Sequence, residues 1–236
     1  MFIPLTAGRK VYTAFPIATA IIILINLIFF GWENWLFFGQ GGDAWYTAVR
    51  TLGFTPGDLV RQVGWGSVTA FTSMYLHSGL SHFFFNMLYL WVFGPAIEDL
   101  TGPARFFLFY TLAGLMGSAL TLLLDSQSLI PGIGASGAIA GVMGAFLLLY
   151  PSRKVRTFVF LILVLVINIP AWILLGWWIL QQAVLGQFIL TYGRNITGIG
   201  VWAHIGGFIG GIALVWLFLR QEVMFNRESV MMTGRG

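Results

Sequence analysis

Long apolar runs separated by short clusters of charge and glycine set the pattern of this chain. A spanning helix needs about 20 mostly apolar residues. The sequence offers six such runs: about Thr13 to Gly31, Ser81 to Ile97, Phe106 to Leu124, Ser136 to Tyr150, Thr157 to Leu185 and Gly198 to Leu219. The uncharged stretch after Arg156 exceeds what one helix can use, so it divides into the last two runs, with Tyr192-Gly193-Arg194-Asn195 marking the turn between them. Pro170 and Gly176 then fall inside the fifth run, where each weakens a helix. The pattern predicts an all-α membrane protein, a polytopic bundle of six transmembrane helices.

Composition agrees with that pattern. The chain is 58% hydrophobic, 17% aromatic and only 8% charged, against roughly 25% charged residues in soluble domains. Its 236 residues suit one transmembrane domain, 1–236. The absence of cysteine excludes disulfides, thiolate nucleophiles and Cys-based metal sites. No cofactor or metal is expected. The net charge of +4 is scattered over the flanks of apolar runs, which argues against nucleic acid as a partner and for the lipid bilayer.

Charge also orients the chain. With the N-terminus cytoplasmic, Arg9, Lys10, Arg105, Arg153, Lys154, Arg156, Arg220, Arg227 and Arg235 lie inside, and only Arg50, Arg61 and Arg194 lie outside. Both termini are therefore expected in the cytoplasm of a multi-pass integral protein of the plasma membrane. The first run is long for a signal peptide, lacks a clear small-x-small cleavage site and reads as a retained anchor. The loop after it carries Trp32, Trp35, Phe37, Phe38, Trp45, Tyr46 and Phe54. Such rings prefer the headgroup level, so residues 13–65 read as a first helix followed by a long interfacial loop.

Two polar side chains stand out at membrane depth. Ser136 lies in Gly134-Ala135-Ser136-Gly137 and His204 in Ala203-His204-Ile205-Gly206-Gly207. Groups of this kind inside a bilayer are costly unless they face a cavity or each other. A lone serine in an apolar run is usually a packing residue, and a lone histidine usually hydrogen-bonds a backbone carbonyl. The glycines before Ser136, however, allow an irregular approach that leaves the serine at a helix N-terminus with free amide N–H groups, which stabilise negative charge. Gly137, Gly141 and Gly144 form a small-residue face, and Gly207 and Gly211 form a GxxxG pair below His204. If these two faces pack, Ser136 and His204 meet as nucleophile and base. His82 and Asn86, four residues apart, share a face of the second run and supply candidate oxyanion donors. His77, in the loop before them, reads as structural.

These motifs, His82-x-x-x-Asn86, Gly134-x-Ser136-Gly137 and Ala203-His204-x-x-Gly207-x-x-x-Gly211, together with Phe93-Gly94-x-x-x-Glu98 and Phe106 to Tyr110, resemble the rhomboid family of intramembrane serine proteases. The resemblance covers about Gly66 to Leu219. It implies that Ser136 attacks a scissile carbonyl, that His204 is the general base and then acid without a third aspartate, and that His82, Asn86 and the serine amide bind the oxyanion. It further implies transmembrane proteins as substrates. Trp177 in the fifth helix lies roughly where rhomboids place a bulky gate residue, facing the second helix near Phe85; the other reading of Trp177 and Trp178 is as lipid-facing belt residues. Two positions depart from the family. Val68-Thr69 stands where some members carry Trp-Arg, and Ala140 stands where many carry an aromatic ring stacked on the catalytic histidine. Loop anchoring and the orientation of His204 must then be supplied by other residues. A catalytically inactive rhomboid-like protein that binds membrane clients and a small membrane channel or transporter remain as alternatives.

Overall fold

The computed structural model describes residues 2–7, 14–61, 65–160, 164–192 and 199–220. Arg9, Lys10, Gly193, Arg194, Asn195, Arg227 and Arg235, used above for orientation and for the last turn, and the run ends at Thr13 and Gly198, lie outside the described residues.

Helix α1 (Ile17–Trp35) starts after Pro16 and has no side-chain cap of its own. Its free N-terminal donors go instead to a second helix, α5 (Leu80–Thr101). The Glu98 carboxylate accepts the Ala18 and Thr19 N–H groups at 2.8 Å each and the Thr19 hydroxyl at 2.7 Å. One buried carboxylate thus closes a helix end that would otherwise leave orphaned N–H groups. After α1 the chain continues through a π-helical turn, Leu36–Gln40, and a run of short helices, α2 (Gly42–Leu52), α3 (Pro56–Val60) and α4 (Thr69–Thr72).

Helix α5 ends at Gly102, whose φ of +83° is open to glycine but strained for other residues, and whose N–H donates to the Glu98 carbonyl at 2.7 Å. Pro103 then occupies the first turn of α6 (Pro103–Leu124), where its missing N–H costs nothing. The result is an antiparallel helical hairpin. Helix α7 (Ser136–Leu149) is the hub of the fold, with eleven of its fourteen residues buried. At 1.5 Å per residue it spans about 21 Å, well short of the ~30 Å hydrocarbon layer. If its far end, near Arg153 and Lys154, sits at one membrane surface, its first residue lies below the other.

Helices α8 (Ala171–Tyr192) and α9 (Val201–Phe218) complete the bundle, with α9 wedged between α6 and α7. Five helices are long and apolar enough to cross a membrane by length and composition: α1 with its continuation to Gln40, α5, α6, α8 and α9; α7 is apolar but shorter.

The expectation of an all-α chain is corrected by a three-stranded antiparallel sheet, β1 (Phe2–Thr6), β2 (Lys154–Phe160) and β3 (Val164–Pro170), in that order. The fifth run therefore does not start at Thr157. A helix from Thr157 to Leu185 would be about 44 Å long, too long for one crossing. Its first half is rich in β-branched residues, which favour a strand: Val155, Thr157 and Val159 point inward along β2, and Val166, Ile167 and Ile169 follow on β3. Pro170 accordingly ends a strand and does not lie inside a helix.

Candidate active site

A cavity of about 910 Å³ opens among α5, α7, α8 and α9, and Ser136, His204, His82, Asn86, Phe85 and Trp177 all line it. Every site residue named from sequence, apart from the packing glycines Gly141, Gly144, Gly207 and Gly211, borders this one space.

The approach to Ser136 is pinned by the segment after α2. Phe54 and Gly132 exchange both backbone hydrogen bonds, at 2.9 and 2.8 Å, and Gly134 N–H donates to the Ser73 carbonyl at 2.8 Å. Gly134 has φ +124°, and a Cβ there would lie 2.8 Å from the His82 ring. Only glycine fits both the turn and the ring. The chain enters α7 with Ser136 in its first turn, so the amides of Ser136 and Gly137 have no acceptor within the helix and point toward the cavity end.

Glycine contacts bring the two polar residues to one level. A Cβ on Gly207 would collide with the Gly137 carbonyl oxygen, and one on Gly211 with that of Gly141, so α7 and α9 touch backbone to backbone. Helix α6 makes a similar approach from the other side: a Cβ on Gly117 would lie 2.5 Å from the Ala203 carbonyl oxygen. With α9 clamped on both sides, His204 Nε2 sits 2.8 Å from Ser136 Oγ.

The other ring nitrogen fixes the tautomer. His204 Nδ1 lies 2.9 Å from Gln182 Oε1 on α8. An amide oxygen only accepts, so Nδ1 carries the proton and Nε2 offers its lone pair to the serine hydroxyl. The Trp178 ring covers the imidazole, with centroids 5.5 Å apart at 42°. These two α8 residues supply the orientation that Ala140 does not. Neither was singled out for it from sequence, where Trp178 counted only as a belt residue. The available signal was their i, i+4 spacing on a helix that starts at Ala171.

Similar logic applies on α5. Ser78 N–H approaches His82 Nδ1 at 3.4 Å and its hydroxyl lies at 3.1 Å, which makes Nδ1 the acceptor and leaves Nε2–H directed at the cavity beside Gly134. The Asn86 side-chain N–H₂ is buried without a protein partner. A buried unsatisfied donor costs about 1–3 kcal/mol, and one aimed at a cavity is held ready for an acceptor that arrives there.

His77 sits behind this wall. Burial, then the neighbouring His82, pushes its pKa down to about 3, so it is neutral at all ordinary pH. Its backbone N–H donates to both Glu33 oxygens, at 3.0 and 2.9 Å, tying α1 to the start of α5. Arg50 adds a second anchor, pairing with Asp58 at 3.0 Å and donating to the Leu129 carbonyl at 2.8 Å. These contacts hold the first loop where Val68-Thr69 replaces the Trp-Arg pair. Among the described residues, no three His, Cys, Asp or Glu side chains gather as metal ligands.

A family model described as "Rhomboid domain" matches residues 64–221. The chain belongs to the rhomboid family. It is similar to the "Rhomboid protease GluP" of Bacillus subtilis, with 32% identity over 200 residues, covering 83% of this chain and 34% of that protein. It is also similar to the "Putative rhomboid protease YdcA" of Bacillus subtilis, with 27% identity over 227 residues, 94% of this chain and 98% of the relative. The chain thus spans about a third of the first relative and nearly all of the second. A shorter match, 41% identical over 76 residues, 32% of this chain and 21% of the relative, is to the "Inactive RHOMBOID-like protein 8" of Arabidopsis thaliana. The rhomboid match begins before α4 and ends just past α9, leaving α1, α2 and α3 outside it. With long apolar helices and a rhomboid domain, this is an integral membrane protein.

Proposed function

We propose that this rhomboid is an intramembrane serine endopeptidase that cuts transmembrane segments, with Ser136 as nucleophile, His204 as general base and then acid, and His82, Asn86 and the Ser136 amide as the oxyanion hole. The observation that carries this reading is the 2.8 Å contact between Ser136 Oγ and His204 Nε2 at the edge of a cavity. The unpartnered Asn86 donor supports the oxyanion assignment.

In the reaction Oγ bonds the scissile carbonyl carbon while its proton passes to Nε2. The carbonyl oxygen becomes an oxyanion, stabilised by the three donors. Collapse expels the amine, which takes the proton from the imidazolium. A water then attacks the acyl-Ser136 and loses its proton to the same ring, and as the C–Oγ bond breaks the imidazolium returns that proton to Oγ, releasing the new carboxyl terminus. The dyad is neutral at rest, which suits a site at membrane depth where a standing charge is expensive.

The wider reading is a single rhomboid domain over residues 1–236 with six spans, α7 being the short one. The bias of Lys and Arg supports cytoplasmic termini, and the plasma membrane is the location this reading adopts. Its partners are transmembrane substrate proteins and the lipid bilayer.

The similarity to a relative named as inactive favours a second reading, a client-binding protein that does not cut. One experiment separates them. Purified protein in lipid should cleave a fluorogenic transmembrane reporter, Ser136→Ala and His204→Ala should each reduce turnover by at least about a thousandfold, and a small serine-directed phosphonate should label Ser136. Reporter binding without cleavage or labelling in the unaltered chain would establish the client-binding reading.

A further inference from the structure

Gln182 is 7% exposed and lies on α8, a helix that otherwise buries only Ala171, Leu174, Leu175 and Gly186. A buried primary amide is expensive unless its dipole is used. Its oxygen is used once, 2.9 Å from His204 Nδ1. Trp178, one turn earlier on the same face, lies over the same ring.

We propose that Gln182 is a positioning residue for the Ser136–His204 pair, selecting the imidazole tautomer in which Nδ1 is protonated and Nε2 is free. This rests on the proposed protease function for its activity readouts, but not for its structural one. With the opposite tautomer the amide would have to turn over and donate to Nδ1, giving up the oxygen contact found here, and Nε2–H would point at Ser136 Oγ, so that no base faced the hydroxyl. In soluble triads a buried aspartate holds this nitrogen. Among the described residues, no carboxylate, lysine or arginine faces His204: its neighbours are Ser136 on α7, Gln182 and Trp178 on α8, and His82 across the cavity on α5. A carboxylate at that depth would bring a desolvation penalty of several kcal/mol. An amide orients the ring and avoids that penalty, and the neutral ring remains the stable resting form.

The chain contains three histidines, so ¹⁵N-imidazole labelling of the full-length protein in lipid nanodiscs resolves His204 once it is assigned by His204→Ala. The unaltered protein should show Nδ1 with a protonated-type shift and Nε2 with an unprotonated one. Gln182→Leu, similar in size and without an acceptor, should move His204 toward the Nε2–H form. It should also lower kcat about 10–100-fold with KM within about twofold. Gln182→Met is the second non-accepting variant, in case Leu perturbs folding. Gln182→Glu, which keeps an acceptor oxygen at the same reach, should retain the Nδ1–H form while lowering the unfolding midpoint, because its carboxyl is buried.

A His204 spectrum indifferent to Gln182→Leu and Gln182→Met, or an Nε2–H form in the unaltered protein, would overturn the proposal. If the tautomer shifts as expected but the unaltered protein cleaves nothing, the protease reading fails and the role of Gln182 in setting the ring stands.

Discussion

The Cα of Gly207 lies against the carbonyl of Gly137 with no room for a side chain between them. This contact sets the spacing of the site, because Ser136 precedes Gly137 and His204 lies one turn before Gly207. Gly207→Ala must therefore push α9 away from α7. Overpacking typically costs about 1–3 kcal/mol, and here it also separates Nε2 from Oγ, now 2.8 Å apart. We expect a lower unfolding midpoint and a turnover loss of at least tenfold. Gly176→Ala serves as the control, since nothing lies within 4 Å of the added methyl; it should leave turnover unchanged and the midpoint equal or slightly higher.

Glu98 is the second structural pivot. Removing its carboxylate strands the Ala18 and Thr19 N–H groups and the Thr19 hydroxyl in a buried setting. Hydrogen bonds to a charged group contribute about 1.5–3 kcal/mol each, though not additively. Glu98→Ala should destabilise the fold by several kcal/mol, and Glu98→Gln, which keeps one acceptor oxygen, by about half as much. Unfolding midpoints in detergent and protease accessibility near α1 measure both. An Ala variant as stable as the parent would mean that α1 is held by packing alone.

Asn86 tests the oxyanion assignment. Loss of one such donor in serine hydrolases lowers turnover by about two to three powers of ten. Because the Ser136 amide and His82 remain, Asn86→Ala should keep residual activity, with kcat falling and KM nearly constant. Its fold should be intact or slightly more stable, because a buried donor without a protein partner disappears. A rise in KM at constant kcat would make Asn86 a substrate-binding residue.

What the sequence disclosed and what it hid have physical causes. Ser136, His204, His82 and Asn86 are legible because polar groups at depth are rare and their spacings fall on single helix faces. The matched glycines of α7 and α9 then foretell which faces meet. The β-hairpin was hard to read because the alternation of β2, with Lys154 and Arg156 outward and Val155, Thr157 and Val159 inward, is short and runs into β3, where Leu165, Val166 and Ile167 are apolar and all exposed, so no period-2 alternation marks that strand. Missing it placed Pro170 inside a helix and blurred the register of α8. Gln182 was hidden for a related reason. It reaches His204 across 22 residues, and nothing local separates it from Gln181 beside it. The clamp of α6 on α9 through Gly117 and Gly206 was likewise outside any pairwise motif.

The last prediction concerns entry of the substrate. On the proposed function, hydrolysis needs water and the substrate arrives from lipid; the cavity is walled on one side by α5 and α8, with Phe85 and Trp177 both lining it. Helix α8 is the least anchored part of that wall: it packs on α9 and α7 through few buried side chains, and Trp177 is 49% exposed. Elements with few buried contacts open at the lowest free energy, and lid motions of this kind often limit turnover. Pro170 takes no part in weakening the helix, because it closes β3; the hinge available is the strand-to-helix junction at Pro170 and Ala171. Removing the two rings should lower the barrier to lateral entry while leaving the Ser136–His204 contact untouched. Phe85→Ala combined with Trp177→Ala should therefore raise cleavage of a transmembrane substrate several-fold and change cleavage of a short soluble peptide, which enters from water, much less. Equal or reduced cleavage of both substrates, in a double variant that still takes the serine-directed label at the parent rate, would exclude these two residues as the gate and assign Trp177 to the lipid-facing belt.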